Sequence, residues 1–365
     1  MFKFLNVKPE IFGIDINDLS LRIVKLQKRG SSFRLVSYND VDIPAGIVKE
    51  GVIQNEDSLA KIIVEASKNV NGKRLDTEYV VVSLPEEKSF SQVIQMPRMS
   101  EKELRLAVPF EAENYIPLPI NKVYIDFQVI ETKEKNPNHL DILINVMPKP
   151  IVDSYISCFK KAGLTPCILE VESQAIVRAF TKNGKMENPV IFVDFGETKT
   201  SLIIYAENSI RFTVTLSISS TQLTEAISQK MGLSFNQAEK IKFKNGFDPK
   251  NNDTFEILRP IIKKLSIEIK KYIDFYKGHS SHDYFPANSN IEKIILCGGG
   301  SNLNGIGDFL FKELGIKTEI GDPFFNISKK YKFFPEKRAL SFTTAIGSAL
   351  RGVSDTYLNS YSDNK

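Results

Sequence analysis

From residue 10 to residue 43 apolar and polar positions alternate in three runs, EIFGIDI, SLRIVKLQ and SFRLVSYNDVDI, broken at NDL and KRGS. A period of two predicts a meander of strands. The period turns helical in NEDSLAKIIVEASKNV, where Leu59, Ile62, Ile63 and Ala66 follow a polar start. EYVVVSL and SFSQVIQM read as two strands divided by Pro85, and Ser100 with Glu103 forms a capping box opening a helix over SEKELRLAVPFEAENYI, strained at Pro109. VYIDFQVIE and DILINVM are further strands joined by the polar KEKNPNH turn. A helix from Pro148 to Ala162 ends at Gly163, and LTPCILEV is a strand entering the short helix ESQAIVRAF.

After the polar stretch TKNGKMENP, the opening pattern returns as PVIFVDF, a break at GETK, TSLIIYA and SIRFTVTLSI. Residues 11–43 and 190–218 each give strand, Asp-bearing turn, strand, strand, and each leads to a helix. That argues for an internal duplication of one unit. Three helices follow, the last with Leu258, Ile261, Ile262, Leu265, Ile269, Ile273 and Tyr276 on one stripe and lysines 263, 264, 270 and 271 on a solvated face. The strand IEKIILC then runs straight into GGGSNLNGIGDFLFKEL.

Composition narrows the classes. A length of 365 residues suits about two domains at ~150 residues each. The 48 basic and 44 acidic residues leave a net charge of +4, too small and too mixed for a protein whose main work is neutralising nucleic acid. No apolar run reaches the ~20 residues of a spanning helix, and MFKFLNVKPEIFGID lacks a signal peptide's apolar core. Cys158, Cys167 and Cys297 show no metal or redox spacing. A cytoplasmic protein is expected, meeting the membrane only through a partner.

The candidate chemistry sits at the two hairpins. Asp15 and Asp194 each end an apolar strand beside a turn whose amides can form an anion-binding concavity. Two carboxylates suit a magnesium ion that keeps most of its waters. Gly196 permits close backbone approach, and Thr198 and Thr200 offer hydroxyls. Gly298, Gly299 and Gly300 form a strand-to-helix turn open to a nucleotide, although their spacing is not that of a dinucleotide fold. Glu239 and Lys242 share one helix face, where they can bond a ribose or simply pair. His139, His279 and His282 lie in polar loops without metal-site spacing. Each feature alone is equally well a plain turn or ion pair; it is their order that is informative.

Taken in order, GIDI (13–16), ESQA (172–175), DFGETKT (194–200), LCGGGSNL (296–303) and TTAIGSAL (343–350) resemble the first phosphate loop, first connecting helix, second phosphate loop, adenosine loop and last connecting helix of the actin-like ATPase superfamily. Within it the chain is similar to the PilM family of type IV pilus machines and, more distantly, to the division protein FtsA. The resemblance runs from Gly13 to Gly352 and rests on QMPRMSEKEL to EAENYIPLP, GLSFNQAEKIK and GGGSNLNGIGDFLFKELGIKTEIGDPF. It implies an α/β fold of two duplicated domains around a nucleotide cleft. Residues 1–185 would form the first, with an FtsA/PilM-type inserted subdomain at 78–150. Residues 186–352 would form the second, with a helical subdomain at about 220–290, followed by a flexible tail at 353–365.

By the same resemblance the cofactors are ATP and Mg²⁺. Asp15 and Asp194 would organise the metal, mainly through water. Asn17, Ser20, Gly196, Thr198 and Thr200 would contact phosphates, Glu239 and Lys242 the ribose, and Gly298, Gly299, Gly300 and Asn302 the adenosine. Glu172 stands where the superfamily orients the attacking water. The first loop departs from the family's GxDxG pattern: Asn17, Asp18 and Leu19 replace a glycine and two serines, with Asn17 tolerating a left-handed turn and Asp18 adding a negative charge near a γ-phosphate. Ser219 and Ser220 replace a glycine pair. Binding with weak or no hydrolysis is expected. The implied role is a scaffold peripheral to the inner membrane that grips the cytoplasmic tail of a PilN-like protein in a groove near residues 78–120, alongside other pilus assembly proteins, with homodimer or filament left open. An FtsA-like division protein is the alternative; a small-molecule kinase lacks an acceptor motif here.

Overall fold

The computed structural model describes residues 9–30, 32–130, 138–279, 290–328, 334 and 336–354. The first eight residues, most of the KEKNPNH turn, the HSSH loop beyond His279 and the tail beyond residue 354 lie outside them. In chain order the first strands are β1 (Phe12–Ile16), β2 (Ser20–Arg29), β3 (Ser32–Asp42), the two-residue β4 (Val48–Lys49), β5 (Val52–Ile53) and β6 (Asn71–Gly72), then β7 (Tyr79–Leu84) and β8 (Phe90–Pro97). They are followed by β9 (Val123–Val129), β10 (His139–Pro148), β11 (Thr165–Val171), β12 (Val190–Phe195), β13 (Thr200–Ala206), β14 (Ser209–Leu216), β15 (Lys293–Cys297) and β16 (Lys317–Ile320). The helices of the first part are α1 (Glu56–Lys68), α2 (Glu101–Ala112), α3 (Lys149–Lys161) and α4 (Glu172–Phe180). Those of the second are α5 (Ser220–Met231), α6 (Phe235–Asn245), α7 (Asn252–His279), α8 (Ile306–Leu314) and α9 (Thr343–Val353).

Two mixed sheets carry the fold, one in the order β11-β7-β1-β2-β3-β6 and one in the order β14-β13-β12-β15-β16. Their designs match. β1 pairs antiparallel with β2 and parallel with β7, and β12 pairs antiparallel with β13 and parallel with β15. The repeat read from the sequence is therefore a repeat of sheet topology. Both lead strands, FGIDI and VIFVDF, are almost wholly buried, as expected of a strand with a neighbour on either side and helices or the opposite sheet over its faces.

Three apolar layers follow from this. One lies between the first sheet and α1 and α3, with Phe12, Ile14, Ile63 and Phe159. Another lies between the second sheet and α5 to α8, with Val193, Ile204, Leu265 and Leu310. The middle layer joins the sheets: Val24 and Leu26 of one and Phe192 and Ile203 of the other close over Ile176 and Ala179 of α4 and Ala345 and Ile346 of α9. α9 is buried without a break from Thr343 to Leu350. Its small residues make that room: a Cβ on Gly347 would lie 1.9 Å from the Ala175 carbonyl oxygen of α4.

The insertion is a separate three-stranded sheet, β8-β10-β9, covered by α2. It begins at Phe90. The strand Tyr79–Leu84, which the sequence reading put at its head, instead belongs to the six-stranded sheet, between β1 and β11. The Ser100 capping box opens α2, with the Ser100 amide donating to Glu103 Oε2 at 2.7 Å. Arg211 of β14, only 1% exposed, pins the insertion to the second sheet, its guanidinium lying 3.8 Å from Asp141 Oδ2 of β10. No helix among the described residues is long and apolar enough to cross a membrane.

Candidate functional site

The duplicated hairpins bring their carboxylates to one place. The first turn closes through the Asn17 amide donating to the Ser20 carbonyl at 2.8 Å, the second through the Gly196 amide donating to the Lys199 carbonyl at 2.9 Å. Asp15 and Asp194 sit at equivalent strand ends, opposite Arg22 and Ser201. A cavity of about 630 Å³ lies between them, within the usual range for a small-molecule site. Asp15, Asn17 and Ser20 line it from the first hairpin, and Asp194, Gly196 and Thr198 from the second. Glu239 of α6 and the turn Gly298, Gly299, Gly300 and Asn302 complete the wall.

Local geometry explains two of these residue types. Gly298 has φ +79°, and a Cβ there would lie 2.3 Å from Asp194 Oδ1, so the glycine turn rides directly on the second hairpin. The Ser20 hydroxyl is buried with no hydrogen-bond partner among the described residues. A buried hydroxyl facing a polar cavity is a contact awaiting a ligand.

The carboxylates divide by their partners. Asp15 accepts from Asn17 Nδ2 at 3.0 Å and from the Ser83 hydroxyl at 2.8 Å. Burial raises its pKa, opposed by Arg22 and Ser83. Asp194 has no side-chain hydrogen bond or ion pair among the described residues, and burial followed by the charge of Asp15 pushes its pKa up to about 6. Two crowded carboxylates, one unpartnered, are a donor set that fits a hydrated divalent cation needing few protein oxygens. Among the described residues no group of three or more His, Cys, Asp or Glu is gathered for a metal.

Four expectations are corrected by the packing. Thr200 is fully buried and donates to the Ile218 carbonyl at 2.6 Å, so its hydroxyl is taken up by the segment leading to α5, while Thr198, in the turn ahead of β13, lines the cavity. Lys242 does not line the cavity either: its amine lies beneath, donating to the Ser220 hydroxyl at 2.7 Å and to Thr224 Oγ1 at 2.8 Å and pairing with Glu239 at 2.7 Å. Burial lowers its pKa, opposed by Glu239. Asp18 turns away from the cavity and accepts the amides of Glu50 and Gly51, both at 2.9 Å, so its charge is spent on a neighbouring turn. No residue of the first hairpin turn has a positive φ, so Asn17 is not left-handed.

Glu172, the first residue of α4, is 4% exposed and stands behind the cavity wall. Its Oε2 pairs with Lys199 at 3.1 Å and accepts the Glu86 amide at 3.4 Å. Burial raises its pKa well above the usual carboxylate value, opposed first by Lys199. The sequence reading passed over Arg22, Lys199 and Phe243, all of which line the cavity. The signal for Lys199 was its place in DFGETKT, between two threonines that were considered.

A second groove, of about 470 Å³, lies where the insertion meets both sheets. Phe33, Gln128, Leu143, Val177 and Leu350 line it.

Comparison with known proteins agrees with this architecture. The pattern of the family described as type IV pilus assembly protein PilM matches residues 13–353. A chain of a PilM–PilN type IV pilus biogenesis complex is 26% identical and superposes with a TM-score of 0.80, covering 94% of this chain and 99% of that one. MreB5 of Spiroplasma citri bound to ADP shares the fold at 11% identity and a TM-score of 0.57, covering 98% and 99%. The cell division protein FtsA of Enterococcus hirae is 24% identical over 190 residues, which span 48% of this chain and 43% of that protein.

Proposed function

The chain belongs to the PilM family of type IV pilus assembly proteins, and on that premise we propose that it is a nucleotide-holding scaffold of a pilus, competence or secretion machine. One observation carries the reading: two equivalent hairpin ends, Asp15 and Asp194, meet a glycine turn around one cavity of about 630 Å³. The ligand is ATP with Mg²⁺. Asp194 and Asp15 hold the hydrated metal, which when bound screens the phosphate charge. The amides around Gly196 and the hydroxyls of Ser20 and Thr198 take phosphate oxygens, while Glu239 and the Gly298–Gly300 turn flank the nucleoside.

Holding is favoured over turnover. The first hairpin offers Asn17 and a single hydroxyl, Ser20, and Glu172 is paired with Lys199 behind the wall. Mg-ATP at ~100 times its dissociation constant should stabilise the protein by about 2.7 kcal/mol in a thermal melt. No stabilisation removes the nucleotide from the account.

The partner is the extended cytoplasmic tail of a PilN-like inner-membrane protein, which would keep this chain at the cytoplasmic membrane face. Support comes from the PilM–PilN neighbour and from the second groove, lined from the insertion by Gln128 and Leu143, which offers the tail a seat beside the 78–120 stretch expected from sequence. An ordered cleft of this kind suits peptide capture. A fluorescent tail peptide titrated against the full chain should give saturable anisotropy, lost in Gln128→Trp; flat titrations with and without Mg-ATP sink the partner.

A further inference from the structure

The two hairpins face each other across the cleft, and protein already spans the gap between them. Lys199, in the turn of the second hairpin, reaches two carboxylates of the first half: Glu87, in the 3-10 turn after β7, and Glu172 at the start of α4. The Lys199 and Glu87 side chains are each 16% exposed. Behind them the two first-half elements interlock, the Glu86 amide donating to Glu172 Oε2 at 3.4 Å and the Ser173 amide to Glu86 Oε2 at 3.0 Å. On the other side the path continues through Pro85, so close to Gly51 that a Cβ there would lie 2.3 Å from the Pro85 Cβ. Gly51 in turn donates to Asp18 of the first hairpin at 2.9 Å. Asp18, Gly51, Pro85, Glu87 and Lys199 thus form one continuous strut between the two phosphate turns.

We propose that Lys199 is a positioning residue that sets the spacing of the two phosphate hairpins before any nucleotide arrives. This rests on the nucleotide reading of the cleft. Without the amine, Glu87 and Glu172 keep no ion-pair partner among the described residues, Arg22 being paired with Asp40, and a paired charge stripped of its partner inside a protein drives its surroundings apart. With it, the floor of the cleft is built in the empty protein, so binding pays little to close it.

The test uses the nucleotide-free full chain and hydrogen exchange at the Glu86 and Ser173 amides. Lys199→Met should speed exchange there about tenfold, the worth of one charge-assisted hydrogen bond. Lys199→Arg should restore it, and Lys293→Met, which breaks the remote pair with Glu319, should leave it unchanged. Unchanged protection in Lys199→Met overturns the proposal, as does an Arg variant that behaves like Met. If the Met variant does not fold, Glu87→Gln, which keeps the Lys199 to Glu172 pair, should show faster exchange at Glu86, and no change there is equally fatal. Calorimetry supplies the second arm: Mg-ATP should bind about tenfold more weakly to Lys199→Met than to the parent and Lys199→Arg. A parent that binds no nucleotide defeats the cleft reading while the exchange result still decides Lys199; a parent that binds, with unaltered exchange in the Met variant, defeats Lys199 alone.

Discussion

Replacing Gly347 with alanine tests how the two halves are joined. Gly347 lies in the middle of the buried α9, and the added methyl would meet the Ala175 carbonyl oxygen at 1.9 Å, its carbon at 2.4 Å and its Cα at 2.9 Å. All three are backbone atoms of α4, so no side chain can swing aside. Restoring ordinary contact of ~3.4 Å requires the helices to part by roughly 1.5 Å. Overpacking of a rigid core costs about 1–3 kcal/mol, and this case belongs at the upper end. Alanine returns about 1 kcal/mol through helix propensity. The net loss is about 2 kcal/mol, a fall in melting temperature of roughly 2–3 °C at ~1.3 °C per kcal/mol for a chain of 365 residues. Gly278→Ala is the internal control: the same change on the exposed end of α7 meets no atom within 4 Å and should raise stability by about 0.5–1 kcal/mol. Both variants are melted by circular dichroism in one buffer. If Gly347→Ala melts at or above the parent temperature, the close crossing of α4 and α9 is wrong, and with it the account of how the sheets are held.

Three further outcomes follow from the site. With metal removed, Asp194 contributes stability that falls as pH rises from about 3.8 to about 6, because burial lifts its folded pKa and the native state binds the extra proton in that window; Asp194→Asn should match the parent near pH 4, exceed it above pH 6 and lose the Mg-ATP shift, and parallel stability curves contradict this. Lys242→Met should cost about 2–3 kcal/mol by stranding the Ser220 and Thr224 oxygens, whereas Glu239→Gln should weaken Mg-ATP binding with less effect on the melt; isothermal titration and urea unfolding separate the two. Asp18→Ala should lower stability by about 1–2 kcal/mol through the Glu50 and Gly51 amides without tightening Mg-ATP, and a marked gain in affinity would return its charge to the phosphate side.

What the sequence disclosed was mostly short in range. The hairpins and the Ser100 capping box are set by residues within a few positions of one another. Sheet membership is not: nothing in EYVVVSL says that its neighbours are β1 and β11. Thr198 and Thr200 are two apart, so strand parity alone would treat them alike; what separates them is the Ile218 carbonyl, 18 residues on, which takes the Thr200 hydroxyl. Helical spacing put Glu239 and Lys242 on one face, correctly, yet which of them sits at the rim depends on Ser220 and Thr224 of another helix. Asp18 finds its partners more than thirty residues on, at Glu50 and Gly51. Lys199 reads as a solvated turn lysine until Glu87 and Glu172 are folded against it.

Arg211 gives the insertion a mechanical standing. The small sheet grows from the first half by its own chain, while a buried guanidinium of the second half lies against Asp141 within it. It is therefore tethered on both banks of the cleft, like a gauge across a joint. A partner that pulled on the insertion would load this contact, and through it the spacing of the banks that a nucleotide in the cleft would meet. By reciprocity, whatever factor one adds to the affinity of the other is returned in equal measure.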